Sequence, residues 1–540
     1  MAKSASKKSS TKGESKLELL KTPGADPVED YRVAFMSRQA SLIGRKEVLT
    51  GKAKFGIFGD GKEVAQLAMA KAFKKGDWRG GYYRDQTFMF ALGELSIRQF
   101  FAQLYADTNL ANEPATGGRQ MNSHFATRYL DEKGDWLNQC LMFNSSADMS
   151  PTAGQMARLV GLAFASKLYR QNKGLADFAQ YSVKGNEVAF GTIGNASTSE
   201  GVFWEAMNAV GVLQVPLVMS VWDDDYGISV PARYQTTKES ISDIMAGFKP
   251  AKNKNGIDIY VVKGHDYPAL IDTYTKAVEK SRKYHSPAVI HVVEMTQPQG
   301  HSTSGSHERY KSAERLQLEA ERDCIAVMRQ WLVQQGHATE ASLKKLEEEA
   351  SAQVEKERAA AWRDWEDPIK GKCDELIGIY QQFAGTEFEE KANAEQKVLQ
   401  RTPTLFQRSV LSSARKMVMA VRGHDHPAVV KLQEFVRAMA EDCSDKFNTY
   451  LHCESSRSPL EMKEVAKQYP DEPEKVMGFE IIGRYFDKKF QDDPRVFIIG
   501  EDVGHLGGVS SEFKGLQEKY GEIRISDTGI REATILGQGI

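Results

Sequence analysis

The sequence lacks the features that would place a protein in a membrane or on nucleic acid. No apolar run reaches the roughly 20 residues needed to span a bilayer, and the net charge of −2 gives no basic excess. Its five cysteines form no C-x-x-C pair, so we expect reduced, structural thiols. These absences favour a cytoplasmic protein that binds neither membranes nor nucleic acid.

The first 16 residues lack both arginine and the apolar core of a secretory signal. They are rich in lysine and serine, which favours a solvated, disordered basic tail over residues 1–30. A docking arm for an acidic partner is the alternative.

The chain does contain a regular alternation of apolar strands and helical segments from Val33 to about Gln335. This alternation predicts an α/β fold with a doubly wound parallel sheet, in which ligands bind at the carboxyl ends of the strands. The predicted strands are 187–191, 216–222, 257–262 and 288–293, and the predicted helices include 63–73, 97–105, 154–169, 199–212 and 267–283.

A chain of 540 residues is too long for one hydrophobic core. We predict a main α/β domain over residues 31–383 and a mostly helical linker over 384–475. The alternation restarts after Met477, with a helix and then the strand 495–500. We therefore expect residues 476–540 to be the start of a second α/β domain that is cut short.

Two polar residues stand at the ends of neighbouring predicted strands. Asn195 lies in the turn after one strand, and Asp224 follows the next, so a strand–helix–strand unit should bring them together. Amide and carboxylate oxygens suit Mg²⁺ or Ca²⁺ beside a diphosphate, although a loop or helix-capping role is also possible. Ser197 and Glu200 have the spacing of a capping box for a helix whose N-terminus would attract an anion, and Gly194 would give the turn backbone freedom.

Several further segments extend this pattern in a fixed order along the chain. They are GYYRD (81–85), GRQM (118–121), His124, SPTAGQ (150–155), YGIS (226–229), GHSTS (300–304), GEDVG (500–504) and SDTGIRE (526–532). With them the chain resembles the decarboxylating component of thiamine diphosphate-dependent 2-oxo acid dehydrogenases, most closely the branched-chain enzymes. The resemblance covers an alpha part over about 30–335 and the start of a beta part over 476–540, and it implies the transketolase-like type of sheet.

The resemblance also implies thiamine diphosphate and Mg²⁺ as cofactors, and a role for individual residues. It gives as cofactor-binding residues Tyr83, Arg84, Ser150, Thr152, Gly194, Ala196, Ser197, His301, Glu501 and Glu532. Asn195 and Asp224, with the backbone carbonyl of Tyr226, would hold the metal. Glu532 would share a proton with the cofactor's pyrimidine ring, and His301 would assist acyl transfer to lipoamide.

The chain also departs from the family pattern. The family has its carboxylate first and its asparagine second, whereas here Asn195 comes first and Asp224 second. Because one carboxylate and one amide remain, we predict that Mg²⁺ still binds; a decayed, metal-free site is the alternative. Trp222 stands where branched-chain relatives have an arginine on the diphosphate, and Thr152 where they have a leucine that supports the cofactor.

The sequence thus predicts oxidative decarboxylation of a 2-oxo acid, with a branched-chain substrate favoured and pyruvate possible. The acyl group would pass to the lipoyl group of a partner acyltransferase, and two fused alpha–beta chains would form a homo-oligomer. As an incomplete fused enzyme, the chain is expected to lack full activity. A transketolase-type or other non-oxidative thiamine enzyme and a non-catalytic scaffold are the alternatives.

Overall fold

The computed structural model describes residues 26–448, 451–453 and 455–540. Most of the predicted basic tail, residues 1–25, lies outside this part. The first helix begins at Pro27, inside the range predicted as tail. Its start follows from local chemistry, since the Asp26 side chain accepts a hydrogen bond from the Val28 amide and Pro27 occupies the first helical position.

A six-stranded sheet, all parallel and in the order β2-β1-β3-β4-β8-β7, forms the centre of the described chain and confirms the predicted α/β fold class. The strands are β1 (Trp78–Gly80), β2 (Asn144–Ser145), β3 (Ala189–Gly194), β4 (Leu217–Trp222), β5 (Tyr226–Gly227), β6 (Val230–Pro231), β7 (Asp258–Lys263), β8 (Ala288–Val293), β9 (Ile498–Gly500) and β10 (Ile525–Asp527).

The α-helices cover both faces of this sheet and form most of the second half of the chain. They are α1 (Pro27–Leu49), α2 (Glu63–Ala72), α3 (Gln86–Leu92), α4 (Ile97–Leu104), α5 (Met156–Gln171), α6 (Gly201–Leu213), α7 (Ile241–Ile244), α8 (Tyr267–Tyr284), α9 (Ala313–Glu321), α10 (Cys324–Gln334), α11 (Glu340–Gln381), α12 (Glu389–Arg401), α13 (Gln407–Ala420), α14 (Pro427–Asn448), α15 (Gly478–Asp492), α16 (Leu516–Tyr520) and α17 (Glu532–Gly539).

The side chains of β4 show why the sheet is covered on both sides. Val218 and Trp222 join one apolar core with α2, α3 and α8, while Leu217, Met219 and Val221 join a second core with α5 and α6. Side chains alternate between the two faces of a strand, so a strand that is apolar at nearly every position is buried on both faces.

One predicted strand is displaced along the chain. The strand expected at 187–191 is β3, Ala189–Gly194. The carboxylate of Glu187 accepts hydrogen bonds from the Ser182 hydroxyl and the Val183 amide, which keeps Glu187 in the preceding turn. The strand therefore starts after it and runs on to the edge where Asn195 lies.

The region from α11 to α14 is helical and has its own core. The 42-residue α11 packs against α4 and α1 and then continues into a bundle with α12, α13 and α14. Leu376, Val410, Met417 and Leu432 are buried at the centre of that bundle. The predicted linker, 384–475, contains α12, α13 and α14.

Residues from α15 onwards form a small α/β unit that rests on the main sheet domain. Strands β9 and β10 pair in parallel over a core of Phe490, Leu516 and Ile525. Helix α17 packs on α5, and the Thr534 amide donates a 2.8 Å hydrogen bond to a carboxylate oxygen of Glu205. None of the helices in the described residues is both long and apolar enough to cross a membrane.

Candidate active site

The ends of β3 and β4 bring Asn195 and Asp224 to one edge of the sheet. Gly194 and Trp222 are partners in register at the carboxyl ends of these strands. Asn195 follows Gly194 directly, and Asp224 lies two residues after Trp222. Sequence order alone predicted this convergence, because parallel strands end at the same edge.

The turn after β3 differs from the prediction. Residues Asn195–Ser199 form a 3₁₀ turn, and α6 begins only at Gly201 with Glu200 as its N-cap. The predicted capping box of Ser197 and Glu200 is therefore wrong, because the helix starts too late for Ser197 to cap it. Gly194 has φ −75° and ψ 150°, a conformation open to any residue, so backbone freedom is not its role.

The three consecutive aspartates after β4 contact three different partners. Asp223 lies 2.8 Å from His291 Nε2 on β8, and Asp225 forms an ion pair with Arg315. Only Asp224 of the three lines the large cavity at this edge of the sheet. Apart from the family resemblance, no sequence pattern distinguished Asp224 from its two neighbours.

This cavity has a volume of about 760 Å³ and collects most of the predicted site. Every residue predicted from the alpha part lines it, namely Tyr83, Arg84, Ser150, Thr152, Gly194, Asn195, Ala196, Ser197, Asp224, Tyr226 and His301. The loop after β1, the turns after β3 and β4, and the loop after β8 supply most of these residues. Their assigned roles remain predictions.

Arg84 and His301 form a fixed pair on the cavity wall. Arg84 donates to the carbonyl oxygens of Phe58 and His301 at 2.6 and 2.8 Å, and its Nη2 lies 3.0 Å from His301 Nδ1. Burial, with the Arg84 charge beside it, lowers the pKa of His301 to about 4. His301 is therefore neutral near pH 7, and because a guanidinium can only donate, Nδ1 accepts from Arg84 and the ring hydrogen lies on Nε2.

Lys62 is the main feature that the sequence reasoning missed. Its side chain is only 2% exposed, and its ammonium donates to Asp224 Oδ2 at 2.8 Å, the Thr296 carbonyl at 2.6 Å and Gln297 Oε1 at 2.8 Å. The other oxygen of Asp224 accepts a 3.3 Å hydrogen bond from the Tyr226 amide. Lysine is usually exposed, so nothing in the run GDGKE (59–63) marked it as a cavity residue.

The charges around Asp224 set its protonation state. Burial alone would raise the pKa of Asp224, but the Lys62 ammonium, followed by Arg84 and Lys311, holds it below its ordinary value. Burial lowers the pKa of Lys62, and the Asp224 carboxylate opposes that decrease. Asp224 is therefore an ionised carboxylate whose charge a lysine already balances.

The chemistry of the lining residues fits a diphosphate. Arg84 contacts carbonyl oxygens rather than a carboxylate, so its positive charge is not cancelled by a direct partner. Two buried N–H donors among the lining residues, Trp222 Nε1 and Gln297 Nε2, have no hydrogen-bond partner within the described part of the chain. Buried donors without partners are rare, and an anion in the cavity would supply the missing acceptor.

The same residues do not fit a divalent cation on Asp224. A hard metal ion on Asp224 would share each carboxylate oxygen with a hydrogen bond already made, one from the Lys62 ammonium and one from the Tyr226 amide. It would also lie beside the positive charge of Lys62. Metal binding by Asn195, Asp224 and the Tyr226 carbonyl stays a prediction, and the position of Lys62 weighs against it.

Glu501 and Glu532 are the two predicted site residues that the structure does not bring to the cavity. Both are exposed, and neither lines the cavity wall. Glu532 lies in the first turn of α17, which packs against α5. The sequence could not show on which face of the main domain this helix packs.

Comparison with known proteins agrees with this arrangement. Residues 31–370 match the model of the family described as "Dehydrogenase E1 component". The chain is 26% identical over 316 residues to 2-oxoisovalerate dehydrogenase subunit alpha of Bacillus subtilis, which is 58% of this chain and 83% of that protein. It is 25% identical over 336 residues to pyruvate dehydrogenase E1 component subunit alpha of Acholeplasma laidlawii, which is 62% and 83% of the two chains.

A shorter stretch is similar to a different subunit. Over 65 residues the chain is 45% identical to pyruvate dehydrogenase E1 component subunit beta of Chaetosphaeridium globosum. The stretch covers 12% of this chain and 20% of that protein. The chain thus combines an alpha-type part with the start of a beta-type part.

Proposed function

The chain belongs to the dehydrogenase E1 component family of thiamine diphosphate-dependent 2-oxo acid dehydrogenases, and from this premise we propose that it decarboxylates a branched-chain 2-oxo acid and passes the acyl group to a lipoyl-bearing acyltransferase. The observation that carries the proposal is the cavity itself. Residues from four separate loops, which the sequence singled out, line one space rich in N–H donors. Thiamine diphosphate, when bound, supplies the carbanion stabilisation that decarboxylation needs.

The residues of the chain would bind and orient the diphosphate of the cofactor and exclude water from the cavity. Arg84 is held on the wall by two carbonyl oxygens, so its guanidinium is already oriented toward the cavity before an anion arrives. Trp222 and Gln297 would add neutral donors to the diphosphate. Mg²⁺ is left out of this proposal, because Lys62 already balances the charge of Asp224.

His301 would serve the transfer of the acyl group to lipoamide. It lies beside Arg84 at the cavity and is neutral near pH 7, and its Nδ1 accepts from Arg84, so its Nε2–H would donate a hydrogen bond to the lipoyl group during the transfer. The loop that carries it follows β8 and includes the exposed Ser304, so an incoming lipoyl arm would meet His301 near the surface.

We further propose that two copies of the chain share each site. Glu532 lies outside the cavity of its own chain, so the beta-type part of a second copy would have to supply this residue. Combining Arg84→Ala and Glu532→Gln chains tests this arrangement. Shared sites should return about a quarter of the wild-type activity in an equal mixture of the two inactive variants, as random pairing in a two-fold dimer requires. Sites built within one chain should return none.

A comparison of substrates tests the reaction itself. Turnover of 2-oxoisovalerate and pyruvate is measured with and without thiamine diphosphate, first with an artificial electron acceptor and then with a lipoylated domain. We expect cofactor-dependent turnover, a higher kcat/KM for 2-oxoisovalerate, and acylation of the lipoyl group. Ketol transfer between sugars without lipoyl dependence would favour a transketolase-type enzyme instead. A chain that binds no cofactor would favour a scaffold.

A cytoplasmic location remains a proposal that rests on the absence of a C-x-x-C pair and of a long apolar run in the sequence. Fractionation of the producing cells, followed by immunodetection of this chain, tests it directly.

A further inference from the structure

Lys62 is a buried cation held at a defined place on the cavity wall. An ammonium group has three N–H donors, and each of the three has an acceptor here, with distances of 2.6 to 2.8 Å. A lysine whose side chain is only 2% exposed is unusual unless it is paired. Its full set of partners fixes the positive charge in position before any ligand enters.

That charge lies where a metal ion on Asp224 would have to be. The Lys62 ammonium donates to one oxygen of the carboxylate at 2.8 Å, and the Tyr226 amide donates to the other at 3.3 Å. A divalent cation on either oxygen would lie within a few ångströms of the ammonium and would be repelled by it. The opposite strand end carries the neutral amide of Asn195, so it offers no second carboxylate to offset this repulsion.

The charged side chains that line the cavity are three cations, Lys62, Arg84 and Lys311, and one anion, Asp224. Lys311 and Arg315 share Glu319, and Arg315 also pairs with Asp225, so these four charges cancel. Lys62 and Asp224 cancel as a pair, whereas Arg84 contacts carbonyl oxygens. An anion in the cavity would therefore meet a net positive wall without any added metal ion.

We propose that Lys62 takes the place of the divalent cation, so that this chain binds the diphosphate of thiamine diphosphate without Mg²⁺. The inference rests on the proposed function, because it assumes that thiamine diphosphate is the ligand. Asp224 then acts as a positioning residue that holds the lysine, rather than as a metal ligand. The same arrangement accounts for an amide at position 195, where no carboxylate is needed.

Isothermal titration calorimetry of the full chain with thiamine diphosphate tests the proposal. Titrations are run in excess EDTA and in excess Mg²⁺. We expect the wild-type Kd to agree within about threefold between the two conditions. Binding that is more than tenfold weaker in EDTA would overturn the inference and leave the proposed function intact. The absence of binding in both conditions would overturn the proposed function and the inference together.

Three variants separate the contribution of the lysine from that of a metal ion. Lys62→Gln should weaken binding at least tenfold in EDTA, and an unchanged Kd there would overturn the inference. Asp224→Asn removes the carboxylate that holds Lys62 and opposes the lowering of its pKa, so it should weaken binding by the same factor in EDTA and in excess Mg²⁺. A metal ligand in the same position predicts a loss that appears only in Mg²⁺, and that result would overturn the inference. Lys62→Arg keeps the charge and should stay independent of Mg²⁺, and circular dichroism verifies that each variant is folded.

Electron paramagnetic resonance with Mn²⁺ needs no variant. The signal of free Mn²⁺ is recorded with thiamine diphosphate alone and again after the wild-type chain is added. We expect the amplitude to stay unchanged at protein concentrations that saturate the cofactor. A decrease that corresponds to one Mn²⁺ per chain would overturn the inference.

Discussion

Replacing Arg79 with methionine should sharply destabilise the protein, because Arg79 stands between two buried carboxylates under the cavity. Its guanidinium donates to Asp85 at 2.7 Å, to Asp148 at 3.0 Å and to the Ser145 hydroxyl at 2.8 Å. Arg79, Asp85 and Asp148 have side chains no more than 1% exposed. Asp85 also accepts a hydrogen bond from Thr192 on β3, so this group connects the loop of Arg84 to the central sheet.

The expected cost follows from the charges that remain. Removing one partner of a buried ion pair costs about 3–5 kcal/mol, since the other charge stays buried without compensation. Arg79→Met leaves two such carboxylates close together, so the loss of unfolding free energy should reach the upper part of this range. Methionine fills much of the vacated volume, so an empty cavity contributes little.

The loss should also depend on pH in a defined direction. Burial already raises the pKa of Asp85 in the wild type, although Arg79 opposes the increase. Without Arg79 the folded-state pKa of Asp85 rises further above that of the unfolded chain. A folded state that binds more protons loses stability as pH rises. The deficit of the variant should therefore be largest near pH 8 and smaller near pH 5.

Urea unfolding followed by tryptophan fluorescence at pH 5, 6.5 and 8 measures this deficit. The neutral triple variant, in which Asp85→Asn and Asp148→Asn accompany Arg79→Met, is the matched control and should recover a large part of the lost stability. A deficit below about 1 kcal/mol would refute the reasoning, because a broken buried pair costs several times more. A deficit independent of pH, or a triple variant less stable than the single one, would refute it equally.

Three further predictions concern other parts of the molecule. Trp222→Phe removes a buried N–H without a partner and should weaken thiamine diphosphate binding about tenfold or more, as loss of a hydrogen bond to a charged group does; Trp204→Phe, outside the cavity, should leave calorimetric binding unchanged. Gly161→Ala should release α17 to limited proteolysis, because the added Cβ would collide with a backbone carbonyl of that helix, whereas Gly371→Ala meets no atom within 4 Å and should not. Burial lowers the pKa of His285 to about 4, below the ordinary 6.5, so the unfolded chain takes up a proton first and stability falls as pH decreases from 6.5 to 4. His285→Asn, which tolerates the left-handed backbone at φ 56°, should reduce that pH dependence in thermal unfolding, and an unchanged dependence would contradict the assignment.

The sequence predicted the sheet where the strands are six residues long and mostly apolar. The almost fully buried strands β4 and β8 and the partly exposed edge strand β7 were located within one residue at each end, because apolar runs bounded by helices leave little choice of element. The strands β1 and β2 have only three and two residues and carry no periodic signal. Strand β1 is placed by pairing with β3, and β2 by pairing with β1, and a local pattern does not encode such tertiary contacts.

The candidate site was predictable for residues whose closeness in space follows from the order of the strands along the chain. Asn195 and Asp224 follow adjacent parallel strands, so topology alone places them at one edge. Lys62 was not predictable, because burial of a lysine depends on partners that come from distant segments, including Thr296 and Gln297. Glu532 illustrates the opposite case, since its residue type suits the chemistry while its position depends on how α17 packs.

The release of labelled carbon dioxide from a carboxyl-labelled 2-oxo acid tests the central claim most directly. Purified protein is incubated with labelled 2-oxoisovalerate or pyruvate, with and without thiamine diphosphate, alongside Arg84→Ala as a variant of the cavity wall. We predict release that requires the cofactor, favours 2-oxoisovalerate and falls strongly in the variant. Release that is absent with both substrates while calorimetry shows the cofactor bound, or that is unaffected by the loss of Arg84, would contradict it.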